Sequence, residues 1–391
     1  MNFYKRYFDT AVALIKQYDG SMPLTAYLKQ YFAQHKKHGS KDRKQIAHLC
    51  YCYYRLGHAV KDLPVETRLY IALYLCNNEK GEWLQLYEEE WQTAYDQDLD
   101  KRIAFLQTKY SFRPEDIFFL LDDVSEGIDR STFSKTHLIQ PDLFIRTRPG
   151  YTPTVINKLQ ANQIRYELLG DNCIALSNAT KVDTILQLNR EAVVQDYSSQ
   201  RIAEFLRLTA NAHLPTTVWD CCAASGGKAI LAVDTLPNIQ LTVSDVRTSI
   251  IKNLKERFKE AGIHKHQSFI ADLTAPYHAS RQYDLVICDA PCSGSGTWGR
   301  TPEQLYFITK DRIEHYASLQ KKIVSNVAKA VKRGGYLLYI TCSVYKAENE
   351  EVVEFIQQTN SFELIKSSVL KGYDRKADTM FAALFENRSH G

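Results

Sequence analysis

From about residue 215 the chain repeats one pattern, a short apolar run followed by a helical stretch. The runs are TTVWD, QLTVSD, SFIAD, DLVICDAP and GYLLYIT, and between them lie segments such as SIIKNLKERFKEAG and IEHYASLQKKIVSNVAKAVKRGG. A strand that is apolar throughout has to be covered on both faces, and the intervening helices supply the cover. The pattern predicts an α/β fold with a parallel, doubly wound sheet. DTMFAALFEN at 378–387 would add a last strand, as an antiparallel edge.

In such sheets ligands bind beyond the carboxyl ends of the strands. Asp220, Asp245, Asp272 and Asp289 each close a different apolar run, which puts four acids along one rim. The loop after the first run, DCCAASGGKAI, brings Ser225-Gly226-Gly227 into a helix start. It has neither the G-x-G-x-x-G of a dinucleotide site nor the G-x-x-x-x-G-K-[ST] of a phosphate loop, which disfavours a phosphate-bearing cofactor. Gly294, Gly296 and Gly299 do match G-x-G-x-x-G, but they follow the fourth run and read as coincidence. Asp245 lies 19 residues after Gly226, where it can accept hydrogen bonds from a ribose. Gathered carboxylates favour a cation, and S-adenosylmethionine has the ribose and the cationic centre without phosphates.

Upstream the texture differs. Residues 1–135 carry helical periodicity, as in Leu14, Ile15 and Tyr18 or Ile46, Leu49, Cys50 and Tyr53, and read as a helical domain with RNA binding as one use. Ser40 stands at a helix start. Residues 136–195 read as a small α+β unit for RNA binding or linkage: PDLFIRTRP a strand, TPTVINKLQANQ a helix, RYELLGDNCIALSN a strand pair and KVDTILQLNR a helix. Residues 196–391 form the main domain. Charge is uneven, with 12 Lys/Arg against 5 Asp/Glu in residues 1–75 and 6 against 14 in 76–130. The basic block suits a polyanionic partner or a solvated helix face equally well. No apolar stretch approaches the roughly 18 residues of a spanning helix, so no membrane role and a cytoplasmic monomer are expected. Nine cysteines without a secretory signal read as reduced thiols, and most of them, Cys221 and Cys288 included, as packing residues. No C-x2-C pair exists and adjacent Cys221-Cys222 poorly span a tetrahedron, so no metal is expected.

Two cysteines stand apart. Cys292 in DAPCSGSGTWGR and Cys342 in YITCSV each follow an apolar run. A thiolate that attacks C6 of cytosine makes C5 nucleophilic enough to take a methyl group; an acid at N3 eases the attack, and a second thiol can help break the adduct.

DAPCSGSGTWGRTPE, YITCSVYKAENEE, DCCAASGGK and VVQDYSSQ, in their order along 195–350, resemble motifs of the RsmB/NOP2/NSUN family of RNA cytosine-5 methyltransferases. GSKDRKQIAHLCYCYYRLG is similar to a segment of the helical N-terminal domain of bacterial RsmB-type enzymes. The resemblance implies a class I, Rossmann-like S-adenosylmethionine-dependent methyltransferase domain acting on structured RNA, ribosomal RNA first and transfer RNA second. It implies Cys342 as nucleophile, Cys292 as the group assisting release, Asp289 at the cytosine edge and Lys228 near the reacting groups; DNA cytosine methyltransferases use the thiol of the earlier motif, which leaves the reverse assignment open. Cys222, Ala223, Ala224, Ser225, Gly226, Gly227, Lys228, Asp245, Asp272 and Asp289 would line the cofactor site. Ser225 replaces the family's usual proline, Ile250 a common arginine with Arg247 closer in, and Gly299 a second arginine beside Arg300. A non-catalytic RNA-binding protein that keeps the cofactor fold is the rival reading.

Overall fold

The computed structural model describes residues 3–210, 216–277, 281–359 and 361–388. The chain forms two compact units, Met1–Asp122 with Asp129–Gln140 and Thr297–Thr309, and Asp123–Ile128 with Pro141–Gly296 and Lys310–Gly391.

Among its described residues the first unit has helices and no strand, including Phe3–Gln17, Leu24–Gln34, Ser40–Arg55, Val65–Cys76 and Leu99–Tyr110. Leu14, Ile15, Tyr18, Ile46, Leu49, Cys50 and Tyr53 are buried, as one apolar stripe per helix requires. Ser40 is the first helical residue rather than the cap; the Gly39 N–H donates to Asp42 Oδ2 at 2.8 Å. The late segment 297–309 packs into this unit through Glu303, whose carboxylate accepts from the Leu24 N–H at 3.1 Å. Buried arginines close open carbonyls: Arg68 donates to Gly57 O, and Arg102 to Tyr74 O and Leu75 O.

The second unit begins with four antiparallel strands, β1 (Leu143–Thr147), β2 (Tyr166–Leu169), β3 (Cys173–Leu176) and β4 (Ala192–Val194), in spatial order β2-β3-β1-β4. KVDTILQLNR is not the expected helix. Only Val182–Thr184 makes a 3₁₀ turn, because Asn189 takes a left-handed φ of 65° and Glu191 draws the Gln187 N–H to its carboxylate at 2.9 Å. Buried Arg146 ties this sheet to the helix Gly227–Thr235 through Asp234 at 2.7 Å.

The main sheet adds β5 (Thr217–Asp220), β6 (Gln240–Asp245), β7 (His266–Ile270), β8 (Tyr283–Asp289), β9 (Val331–Thr341), β10 (Phe362–Leu370) and β11 (Met380–Asn387), in spatial order β10-β11-β9-β8-β5-β6-β7. Strands β5 to β9 are parallel and the last two antiparallel. The fold is therefore α/β and Rossmann-like with a helical N-terminal region. The expectation for DTMFAALFEN needs one correction: β11 is antiparallel but internal, between β9 and β10, and β10 is the edge. The six consecutive buried residues of β11 demand cover that an edge lacks, whereas FELIKSSVL alternates buried and exposed positions. Each face of the sheet carries an apolar layer, one around Ile230, Leu254 and Phe258, the other around Trp219, Val324 and Val352. The chain runs outward from β5 to β7 and returns at β8, so the switch point lies between β5 and β8. Among the described residues no helix is long and apolar enough to cross a membrane.

Candidate active site

At the carboxyl end of β5 the backbone must turn from strand to helix within six residues. Ala224 and Gly226 make the turn at left-handed φ values of 44° and 84°. A Cβ on Gly226 would stand 2.6 Å from Phe258 Cε1, so position 226 is closed to side chains by conformation and by space. The family's customary proline, with φ near −65°, is absent next door at Ser225; Arg257 instead holds Ser225 by donating to its Oγ and carbonyl at 3.0 and 3.1 Å.

Two cavities of about 560 and 590 Å³ lie elsewhere on the unit, but the one at the strand ends, of about 520 Å³, is where the acids converge. Cys222, Ala224, Asp245, Asp272, Asp289 and Cys292 line it, with Leu273, Leu319 and Ile323 as an apolar wall. Ala223, Ser225, Gly226, Gly227, Lys228 and Cys342 do not line it directly. Lys228 joins through Asp289: its Nζ donates to Asp289 Oδ2 at 3.0 Å, and both residues are largely buried. A cation in the first turn of a helix opposes the helix dipole, and Asp289 offsets that. Burial works against the Lys228 charge, yet Asp289, foremost among its neighbours, raises its pKa.

Asp245 closes β6, and its four acceptor positions are all used. Oδ1 accepts from the Arg247 backbone N–H and Nε, and Oδ2 from the Ala224 N–H and Arg247 Nη2, all at 3.0–3.1 Å. Burial pushes this carboxyl up, and the bonds from Arg247 and Ala224 outweigh it, leaving the pKa below the ordinary value. The Arg247 side chain is 58% exposed, so its guanidinium can leave and free two positions for hydroxyls. Asp272 is exposed and accepts from Thr274 N and Oγ1, which lower its pKa. Asp220 is fully buried with neither carboxylate oxygen paired, and burial, then Asp289, raises its pKa well above the usual range. It is held neutral under the site.

Cys292 and Cys342 meet because β8 and β9 are parallel neighbours in register, Asp289 beside Ile340. Cys292 lies three residues past β8 and Cys342 one past β9, both half-buried. The neighbouring Cys292 thiol, then burial, raises the Cys342 pKa well above the usual thiol value, while Lys228 pulls it down. The two loops are pinned together. The Gly296 N–H donates to Cys342 O at 2.9 Å, and a Cβ on Gly296 would stand 1.9 Å from Thr379 O. Gly296 thus serves a close backbone approach, which explains the glycine whose motif spacing was coincidental.

Residues 205–386 of this unit match the family model described as 16S rRNA methyltransferase RsmB/F. Over these residues the chain is similar to the RsmB/F methyltransferase domain. It is 32% identical to ribosomal RNA small subunit methyltransferase B of Xanthomonas campestris over 196 residues, 47% of this chain and 44% of that protein. It is 31% identical to the probable enzyme of the same name from Bacillus subtilis over 238 residues, 59% and 52% of the two chains. The chain spans about half the length of the curated relatives it matches. Among solved structures, PH0851 superposes with a TM-score of 0.71 over 99% of both chains at 19% identity. NSun6 from Pyrococcus horikoshii with SFG gives 0.56 over 64% of this chain and 91% of that one at 13% identity. Both share the fold.

In this domain the contacts of three groups escaped the sequence reading. Arg247 occupies Asp245. Glu348, fully buried, accepts from Ser293 N and Oγ at 2.9 and 2.8 Å and so anchors the Cys292 loop; its place in YKAENEE was visible but not its target. Cys288, read as packing, lies against Cys221 and Cys222, whose thiols pull it down to about 5, while burial keeps Cys221 high.

Proposed function

We propose that the chain transfers the methyl group of S-adenosylmethionine to C5 of a cytosine in structured RNA, ribosomal RNA first, through a covalent bond between Cys342 and C6. The observation that carries the reading is the thiol pair Cys292–Cys342, brought together at the ends of adjacent strands, with Lys228 and Asp289 alongside. The names of the curated relatives support ribosomal RNA as substrate.

The strand-end pocket fits the methyl donor. Asp245 would take the ribose once Arg247 yields, Asp272 lies at the same rim, and Leu273, Leu319 and Ile323 offer an apolar slot for a base. The neighbour solved with SFG, an S-adenosylmethionine analogue, supports the same ligand. Bound there, the donor would supply an electrophilic methyl group.

The chain's own residues do the rest. Cys342 gives up its proton and bonds to C6; Asp289, hydrogen-bonded by Lys228, faces the N3 and amino edge of the base. After methyl transfer the C5 proton leaves, the Cys342–C6 bond breaks, and Cys292 assists release. Incubation with labelled S-adenosylmethionine and ribosomal RNA should place label in 5-methylcytosine. Binding of RNA without transfer to any RNA would favour the rival, a non-catalytic RNA-binding protein.

A further inference from the structure

The switch point between β5 and β8 holds a second sulfur cluster, distinct from the Cys292–Cys342 pair. Cys221 and Cys222 leave β5 together. The Cys221 N–H donates to Ile287 O at 2.9 Å, which extends the parallel register by one residue and sets Cys288 abreast of the loop. The three sulfurs lie within 4.8 Å of one another, with Cys221 and Cys222 4.0 Å apart. Among the described residues this is the only such group of three metal-ligating side chains. Cys221 and Cys288 are buried, whereas Cys222 is half-exposed and, like Cys221, lines the pocket.

We propose that Cys221, Cys222 and Cys288 form a binding site for one thiophilic divalent cation, zinc or a congener such as cadmium, at the floor of the pocket. Zinc lies about 2.3 Å from thiolate sulfur, so three sulfurs at the corners of a tetrahedron around it stand about 3.8 Å apart. The spacing found here needs a closure of at most about 1 Å, within reach of small side-chain rotations. Adjacent cysteines span a tetrahedron poorly by themselves, and the neighbouring strand supplies what they lack. On binding, whichever of the three sulfurs still carry protons release them to the buffer as three metal–sulfur bonds form, and the fourth position opens to pocket water. The resulting charge of −1 is met by Arg247, whose guanidinium interacts with Cys222. Cys222 gives the ion its route in.

The test is anaerobic titration of the reduced full chain with Cd²⁺, read by the ultraviolet sulfur-to-cadmium band, with Zn²⁺ competition. The expected result is one ion per chain in the wild type and in Cys292→Ala/Cys342→Ala, and at least tenfold weaker binding in both Cys222→Ser and Cys288→Ser. Circular dichroism checks each fold, and half-exposed Cys222 serves if Cys288→Ser does not fold. The proposal is overturned by no sulfur band in the wild type, by unchanged affinity in Cys222→Ser, or by loss of the band only in the Cys292→Ala/Cys342→Ala variant. No methyl donor or RNA enters the assay, so the outcome is independent of the proposed activity.

Discussion

At the β6 end of the rim, Asp245 receives four hydrogen bonds, three of them from one arginine that is mostly in solvent. At the β8 and β9 ends, two thiols stand side by side and a buried lysine donates to one carboxylate. The first half is a set of satisfied acceptors whose partners can be exchanged for a ligand's hydroxyls at small cost. The second is a tight group of ionisable side chains under a neutralised Asp220, where each charge changes its neighbours. On the proposed function, binding and chemistry are thereby separated along one sheet edge, and substitutions should separate them too.

The largest effect is expected at Cys342. Cys342→Ala should lower kcat by about 10⁴-fold or more, with donor affinity nearly unchanged by equilibrium titration. Loss of both together would join the halves. Because the Cys342 pKa is raised, its thiolate fraction grows tenfold per pH unit through neutrality, and kcat/KM should climb with a slope near one from about pH 6 to 9. A flat profile would mean that another group limits the rate. Lys228→Met should cost about 10²- to 10³-fold in kcat by releasing Asp289, again with a small change in donor KM. Asp245→Ala should do the reverse, raising donor KM roughly 10- to 100-fold for the lost charged hydrogen bonds while kcat changes little. Arg247→Ala is the subtlest. Removing an exposed competitor for Asp245 should lower donor KM by about fivefold or less, and a rise in KM would show that Arg247 belongs to the binding half itself.

Much of the sheet was legible because its strands are apolar on both faces and end in acids. Asp220, Asp245, Asp272 and Asp289 do lie along the carboxyl ends, three of them on one pocket. What the chain order hides is sideways contact. β11 becomes internal only because β10 pairs beyond it, and the alternating FELIKSSVL carried too weak an apolar signal to mark that edge. Cys288 meets Cys221 through parallel register across 67 residues, which no local spacing encodes. Segment 297–309 follows directly on the Cys292 loop yet folds with the helical unit, through Glu303 and its bond to Leu24. Arg247 was noticed as an oddity of position; its hold on Asp245 depends on a turn that only coordinates reveal.

The most direct test of the thiol assignment is a denaturing gel of Cys292→Ala, Cys342→Ala and the double variant, each incubated with S-adenosylmethionine and ribosomal RNA. The account predicts an RNA–protein adduct that survives denaturation in Cys292→Ala and vanishes in the double variant. An adduct that accumulates in Cys342→Ala instead would contradict it and give the nucleophile's role to Cys292.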